Sequence, residues 1–245
     1  MKLKFALVLA LLSLVIHGPA SAAEPPARVL NLARWKLTLP VDTDLPGRPD
    51  EIVQPALDGF QHPDYFFVNE KGDGVVFRAP CGGITTKGSS YPRCELREMD
   101  ESGRDEIAWG TDDGQIHTLA ARLAVTHVPM KKPHVVCAQI HDAKDDLLML
   151  RVEGTKLLIE RAAEEDLVLD RNYRLGTPLE LKIEAGGGRV RVWIDGDQKL
   201  DWKVARKGCY FKTGCYTQSN VEKGDAADAY GEVVVYRLAV EHKPE

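Results

Sequence analysis

Short runs of alternating apolar and polar residues recur along this 245-residue chain, and they restrict it to a β-rich fold. Residues 117–128, "HTLAARLAVTHV", are the clearest example. Alternation with a period of two places one set of side chains on each face of a strand. The apolar face of this strand consists of Leu119, Ala121, Leu123 and Val125.

Further strands are separated by turns that contain glycine and aspartate. This spacing is typical of a β-sandwich or barrel, and only residues 55–61 suggest a short helical turn. We therefore predict an all-β fold with one domain over residues 23–245. The other predicted strands are two in 147–162 around Glu153 and Gly154, three in 179–202 with breaks at 186–188 and 195–196, and one in 232–242.

Residues 1–22 have the features of a secretory signal peptide. Lys2 and Lys4 precede an apolar run, and the segment ends in the small residues of "ASA" at 20–22. The apolar run is shorter than the roughly 20 residues that a membrane span needs. We therefore expect a secreted or periplasmic protein that has no membrane anchor after cleavage.

The charge balance of the remaining chain limits its partners. Without the first 22 residues, 30 basic and 37 acidic residues remain, a net charge of about −7. This acidic balance argues against nucleic acid as a partner. An acidic ligand would require positive charge that is concentrated in one place. We expect the protein to be a monomer.

Five cysteines follow the predicted signal peptide, which allows at most two disulfides and one free thiol. Cys81 and Cys94 flank a glycine-rich loop, and Cys209 and Cys215 flank "YFKTG". Both pairs are plausible bridges that leave Cys137 free, although other pairings remain open. The chain has no C-x-x-C pair, so the sequence predicts neither a zinc site nor a redox motif.

Three strand-like stretches carry polar residues at every second position, and the first is "RCELRE". Arg93, Glu95 and Arg97 share one face of a strand. Cys94 and Leu96 share the other. The carboxylate can hold the two arginines in a row that presents guanidinium groups to a carboxylate ligand. A charged surface strand would show the same pattern.

The second stretch is "VVCAQIHD". A glutamine amide donates two hydrogen bonds, and a histidine exchanges a proton near neutral pH. An ordinary polar surface would also explain the pair. The alternation assigns Val136, Ala138 and Ile140 to the core, and Val135, Cys137, Gln139 and His141 to the opposite face.

The third stretch is "GCYFKTGCYTQSN". If the chain is extended there, Lys212 and Tyr216 point in the same direction. A nearby lysine lowers the pKa of a phenol, which would help the tyrosine to transfer a proton. A hairpin lined by tyrosine and lysine is the plain alternative. The residues of shared parity are Tyr210, Lys212, Gly214, Tyr216 and Gln218.

In this order and spacing, "RCELRE", "QIH" and "YFKTGCYTQ" resemble the three signature regions of the polysaccharide lyase family 7 alginate lyases. The flanking "APCGGITTKGSSYPRCELREM", "TLAARLAVTHVP" and "GEVVVYRLAVEH" resemble that family as well, so the resemblance covers roughly residues 30–242. Cys94, Thr213 and Cys215 depart from residues that are common in the family. All three have the opposite parity from the candidate site, so they leave its chemistry unaffected.

The resemblance implies a β-jelly roll sandwich of two antiparallel sheets with a concave, basic cleft for a polyuronate. It implies β-elimination at the 4-linked bonds of alginate, by internal cleavage and with a preference for guluronate-containing blocks, and no metal or other cofactor. Arg93 and Gln139 would contact the substrate carboxylate, and His141 and Tyr216 would transfer protons. The residues implied to support or bind the substrate are Glu95, Arg97, Lys212 and Gln218.

The motif "QIH" occurs twice, and only the second copy matches the family motif. The first copy, residues 115–117, follows a turn-like "TDDG" and leads into a strand. We predict that His117 has no catalytic role and that His117→Ala leaves a folded, active protein, whereas His141→Ala cripples activity.

Three alternative functions remain. A lyase for another polyuronate, such as polyglucuronate, would share the mechanism. A polyuronate-binding module would need no His/Tyr pair. A glycoside hydrolase would need paired carboxylates in a pattern such as E-x-D-x-x-E, but the candidate that begins at Glu98 has Gly103 and Arg104 at the partner positions.

Overall fold

Fifteen strands dominate the structure, a computed structural model that describes residues 24–245. The predicted signal peptide lies outside these residues. The strands are β1 (Trp35–Thr38), β2 (Glu51–Ile52), β3 (Phe66–Val68), β4 (Val75–Pro80), β5 (Arg93–Glu98), β6 (Gln115–His127), β7 (His134–His141), β8 (Asp146–Glu153), β9 (Lys156–Arg161), β10 (Leu167–Asp170), β11 (Leu179–Gly186), β12 (Arg189–Ile194), β13 (Asp197–Lys203), β14 (Tyr210–Thr217) and β15 (Tyr230–Pro244).

The strands form two sheets in which all neighbours are antiparallel. The eight-stranded sheet has the order β10-β9-β8-β7-β14-β5-β1-β2, and the seven-stranded sheet has the order β13-β12-β11-β6-β15-β4-β3. Among the described residues, helical structure is confined to 3₁₀ turns at Pro26–Arg28, Ala56–Gly59 and Val221–Lys223. Within residues 24–245, no helix has the length and apolar character of a membrane span.

The predicted all-β sandwich is confirmed, and so are the individual strands. Residues 147–162 form β8 and β9, residues 179–202 lie within β11, β12 and β13, and residues 232–242 lie within β15. The predicted apolar face of β6 is buried. The core fills the space between the sheets, and its largest fully buried side chains include Trp35, Phe66, Phe77 and Phe211.

A β-bulge in β7 makes part of the predicted face assignment wrong. The register with β8 shifts between Val136 and Ala138, so Cys137 is an extra residue on this strand. Cys137 and Val135 therefore belong to the core cluster, whereas Val136, which was predicted to face the core, does not. From Ala138 onward the predicted alternation holds.

Neither of the suggested disulfides is present in the structure. All five cysteines are buried, and each has a free thiol. Cys209 precedes β14 and Cys215 lies within it. Six extended residues span about 20 Å, far beyond the roughly 7 Å that a disulfide allows between Cα atoms. Cys81 follows β4 in the seven-stranded sheet, whereas Cys94 lies in β5 of the other sheet, directly opposite Cys215.

Candidate functional site

The three stretches singled out in the sequence form three adjacent strands. β14 lies between β5 and β7 in the eight-stranded sheet. Lys212 of β14 stands opposite Arg97 on one side and Gln139 on the other, and Tyr216 stands opposite Arg93. A cleft of about 700 Å³ lies over these residues. Sheet pairing therefore collects residues that are far apart in the chain.

Glu95 is the centre of the polar cluster on this sheet face. Its carboxylate is only 1% exposed and accepts hydrogen bonds from three neighbours. The Arg93 Nη1 lies 3.1 Å from Oε2, and the Lys212 Nζ lies 2.5 Å from the same oxygen. The Gln139 amide nitrogen donates to Oε1. Arg93 and Lys212 together carry two positive charges and Glu95 carries one negative charge. The cluster therefore has a net charge of +1, on side chains that line the cleft.

Burial and charge act in opposite directions on this cluster. Burial alone would raise the pKa of Glu95, but the positive charges of Lys212 and Arg93 hold it below its ordinary value. Burial also lowers the pKa of Lys212 to about 8, against the opposing attraction of Glu95. The lysine therefore loses its charge at a lower pH than an exposed lysine does.

His141 has one ring nitrogen engaged and the other available. Its Nδ1 lies against the carbonyl oxygen of Asp142 and 3.2 Å from the hydroxyl of Tyr210. Because a carbonyl oxygen only accepts, Nδ1 carries the proton, and Nε2 of the neutral ring is an acceptor. Burial, together with the charge of Lys212, lowers the pKa of His141. The neutral ring therefore predominates at pH 7.

Tyr216 contacts Arg93 and a loop serine. The guanidinium carbon of Arg93 lies 3.9 Å from the centre of the Tyr216 ring. The Tyr216 hydroxyl lies 3.1 Å from the Ser89 Oγ, which in turn donates to the carbonyl oxygen of Tyr91. Burial raises the pKa of Tyr216, although Arg93 opposes this effect. The phenol is therefore protonated at neutral pH.

Six of the eight predicted site residues line the cleft: Arg93, Arg97, Gln139, His141, Lys212 and Tyr216. Glu95 lies buried beneath them. Gln218 is the first residue after β14 and does not line the cleft. Its amide oxygen accepts a hydrogen bond from Arg151 at 3.2 Å, and its amide nitrogen contacts the sulfur of Met149 at 3.8 Å. Its predicted contact with substrate stays a prediction.

Sequence reasoning missed several residues of the cleft wall. Alternation places Tyr210 on the same face as Lys212, but no role was predicted for it, and its ring stacks on His141. Ser89 comes from a loop that has no periodicity to indicate its position. Lys36 of β1 and Glu106 of the loop after β5 line the opposite wall. These residues are brought in by strand pairing and loop geometry.

The first copy of "QIH" begins β6, as predicted, but His117 has a role in the interior that was not predicted. The side chain is buried, and its ring stacks on Trp109 with centroids 4.5 Å apart. Its two nitrogens contact His242 at 2.6 Å and Asp113 at 3.0 Å. His117 is thus part of a polar chain in the interior, on the side of the eight-stranded sheet that faces away from the cleft.

The cleft is rich in nitrogen donors and is not arranged as a metal centre. Within residues 24–245, no group of three or more His, Cys, Asp or Glu side chains is placed to hold a metal ion. Guanidinium, ammonium and amide groups bind carboxylates well. The arrangement is therefore suited to an acidic ligand beside a proton acceptor, His141, and a proton donor, Tyr216.

Solved structures with this fold include alginate lyases. The alginate lyase AlgAT5 from polysaccharide lyase family 7 is 49% identical with a TM-score of 0.86, and the alignment covers 90% of this chain and 100% of that one. A family 7 alginate lyase A1-II′, solved with the substrate GGMG after a His-to-Asn and a Tyr-to-Phe replacement, is 25% identical with a TM-score of 0.76, covering 91% and 99% of the two chains.

Sequence comparisons agree with the structural ones. An alginate lyase from Klebsiella pneumoniae is 34% identical over 161 residues, which are 54% of this chain, and the match spans about half of that enzyme's length, 51%. The family model described as "Alginate lyase" matches residues 30–242. Because this match covers most of the chain, the protein belongs to the alginate lyase family.

Proposed function

We propose that this protein is an alginate lyase that cleaves the polymer by β-elimination. The observation that carries the proposal is the Glu95 cluster, whose single remaining positive charge faces a cleft beside His141 and Tyr216. Each uronate unit of alginate carries one carboxylate on C5. A cluster with one uncompensated positive charge matches one such carboxylate.

The first task is to neutralise that carboxylate. Its negative charge keeps the neighbouring C5 proton weakly acidic, and the charge that develops during proton removal must be stabilised. Arg93 has further N–H groups beyond the one given to Glu95, and the Gln139 amide has a second hydrogen. Together they can donate to both carboxylate oxygens of the substrate.

The second task is proton transfer. The unprotonated Nε2 of His141 is suited to remove the C5 proton, and the Tyr216 hydroxyl is suited to protonate O4. The electrons of the C5–H bond form the C4=C5 double bond. The C4–O4 bond breaks, and its electrons stay on O4, which receives the proton. The two uronates differ in configuration at C5, so Tyr216 acts as the base where the C5 proton lies on its side of the ring.

The relatives support these roles. The A1-II′ alginate lyase was solved with its substrate when one His and one Tyr had been replaced, and with a product when only a Tyr had been replaced. Removal of a general base and a general acid is expected to preserve a bound substrate. This chain brings one His and one Tyr into the same cleft.

We also propose internal cleavage and a preference for guluronate-containing blocks. The cleft has strand side chains at its base and loop residues 86–89, 106–108 and 143–145 along its rims, so a polymer can lie along it. The guluronate preference rests on the motif "QIH". Viscosity that falls early, before much unsaturated product has accumulated, would support internal cleavage.

The test of the function uses alginate, polymannuronate, polyguluronate and polyglucuronate as separate substrates. Ultraviolet absorbance of the unsaturated product should rise with alginate and rise fastest with guluronate-rich material. Absorbance with polyglucuronate alone would identify a lyase for another polyuronate. New reducing ends without absorbance would indicate hydrolysis, and binding without either would indicate a binding module.

We propose that the protein is exported, on the basis of residues 1–22. Mass spectrometry of protein recovered from the medium or periplasm of producing cells should show a chain that begins at Ala23. Recovery of the full-length chain from the cytoplasm alone would contradict export.

A further inference from the structure

A second pair of cations lines the cleft next to the Glu95 cluster. Lys36 of β1 stands opposite Arg97 of β5, and both side chains are nearly buried, with 12% and 11% exposed. Glu106 bridges them. Its Oε1 lies 3.1 Å from the Lys36 Nζ, and its Oε2 lies 3.1 Å from the Arg97 Nη2. Glu51 also contacts the Lys36 Nζ at 3.0 Å.

The charge balance here differs from that of the Glu95 cluster. Lys36 and Arg97 are matched by Glu51 and Glu106, so no net positive charge remains. The position of the anions also differs, because the Glu106 side chain is 60% exposed whereas Glu95 is almost fully buried. Glu106 therefore lies on the solvent side of its cations, where a ligand carboxylate would have to bind.

Glu106 is ionised and yet displaceable. Burial raises its pKa, but Arg97 and Lys36 outweigh burial and hold the pKa below its ordinary value. Ion pairs of exposed carboxylates are weak, because water and salt compete for them. The backbone of Glu106 is held in a bridge with Met99, so a side-chain rotation is enough to release the two cations.

We propose that Glu106 sets the affinity for the uronate unit next to the one that reacts, because its carboxylate occupies the position that the carboxylate of this unit would take. The proposal rests on the polyuronate lyase function proposed above. A substrate carboxylate that binds Arg97 and Lys36 must displace the Glu106 carboxylate. Each uronate bound here exchanges one anion for another, which limits affinity at this position and favours release of the product.

The test compares two variants that remove the same charge. Glu106→Gln leaves Arg97 without its carboxylate partner and should lower the KM for polyguluronate or alginate about fivefold at low salt. It should also steepen the dependence of KM on salt. Glu51→Gln adds the same net charge but leaves Glu106 over both cations, so KM should change less than twofold.

Glu106→Asp keeps the charge and should keep the KM of the unmodified protein. An unchanged or higher KM for Glu106→Gln would overturn the proposal, and so would an equal decrease in Glu106→Gln and Glu51→Gln, because net charge alone would then explain it. A failure of the proposed function has a different result, since the unmodified protein would then yield no unsaturated product from any of the polyuronates.

Discussion

Two buried glutamates on β5, three residues apart, face opposite sides of the eight-stranded sheet. Glu95 faces the cleft and is surrounded by Arg93, Lys212 and Gln139. Glu98 faces the interior. Its Oε2 accepts from the Trp109 indole and the Phe211 backbone N–H, at 3.0 and 2.9 Å. Its Oε1 lies 2.6 Å from the His242 Nε2.

The interior cluster has no surplus charge facing a ligand, and its partners extend across the core to the other sheet. His242 contacts His117, and His117 contacts Asp113. Burial lowers the pKa of His117, although its hydrogen bond with Asp113 opposes this effect. The two glutamates therefore differ in their surroundings: Glu95 lies between cations beneath the cleft, whereas Glu98 accepts hydrogen bonds within the core.

The largest expected effect falls on the cleft side. Tyr216→Phe should lower kcat about 1,000-fold, because general acid–base catalysis contributes roughly 10²–10⁴. Unfolding temperature should hardly change. Initial rates of absorbance increase and a thermal scan measure the two quantities. Tyr236→Phe, on β15 of the other sheet, is the control and should keep full activity. Near-normal turnover in Tyr216→Phe would show that this hydroxyl is not the acid or base.

Glu98→Ala should have the converse effect. It leaves the Trp109 and Phe211 N–H groups and His242 without their acceptor, so we expect a loss of about 3–5 kcal/mol in the free energy of unfolding. Urea unfolding measures this loss. Glu98→Gln can accept from both N–H groups and donate to His242, and it should lose about 1 kcal/mol. Equal losses in the two variants would contradict the hydrogen-bond arrangement.

The polar chain also revises the expected result for His117. His117→Gln should retain kcat but lose about 1–2 kcal/mol of stability through its broken hydrogen bonds. The lowered pKa of His117 means that the unfolded chain binds a proton below about pH 6.5 that the folded chain does not. Stability therefore falls as pH decreases through that range, and urea unfolding at several pH values should show a shallower decrease in His117→Gln. The titratable groups facing this ring are Asp113, His242 and Glu98.

The smallest expected effect is on the alkaline side of the activity profile. As pH rises through about 8, Lys212 loses its proton and the Glu95 cluster loses its net positive charge. The kcat/KM for alginate should therefore fall severalfold above pH 8. Lys212→Arg keeps its charge and should move this decrease to higher pH. An identical alkaline decrease in both proteins would assign it to a different group.

Local periodicity was enough to predict much of the fold and of the site. The faces of β5 and β6, and the breaks between β11, β12 and β13, follow directly from alternation and turn residues. The bulge at Cys137 could not be predicted from alternation. One additional residue in the strand reverses the face that is assigned to each residue before it. Its position depends on pairing with β8.

Contacts between distant segments could not be predicted from the sequence pattern either. His117 and His242 are 125 residues apart, and neither residue type at its position indicates the other. Glu106 and Ser89 lie in loops, where no period assigns a face. The family motifs identified the strands of the site, whereas the cleft wall and the interior chain depend on the assembled sheets.

The position of β14 has a consequence for how activity arises during folding. This strand, Tyr210–Thr217, fills the gap between β5 and β7, and β15 fills the equivalent gap between β6 and β4. The centre of each sheet thus comes from the last part of the chain. Contacts of such high sequence separation form slowly, because long loops must close first. We expect a nascent chain that has not yet reached residue 217 to have no cleft, so that catalytic competence appears only at the end of synthesis and folding.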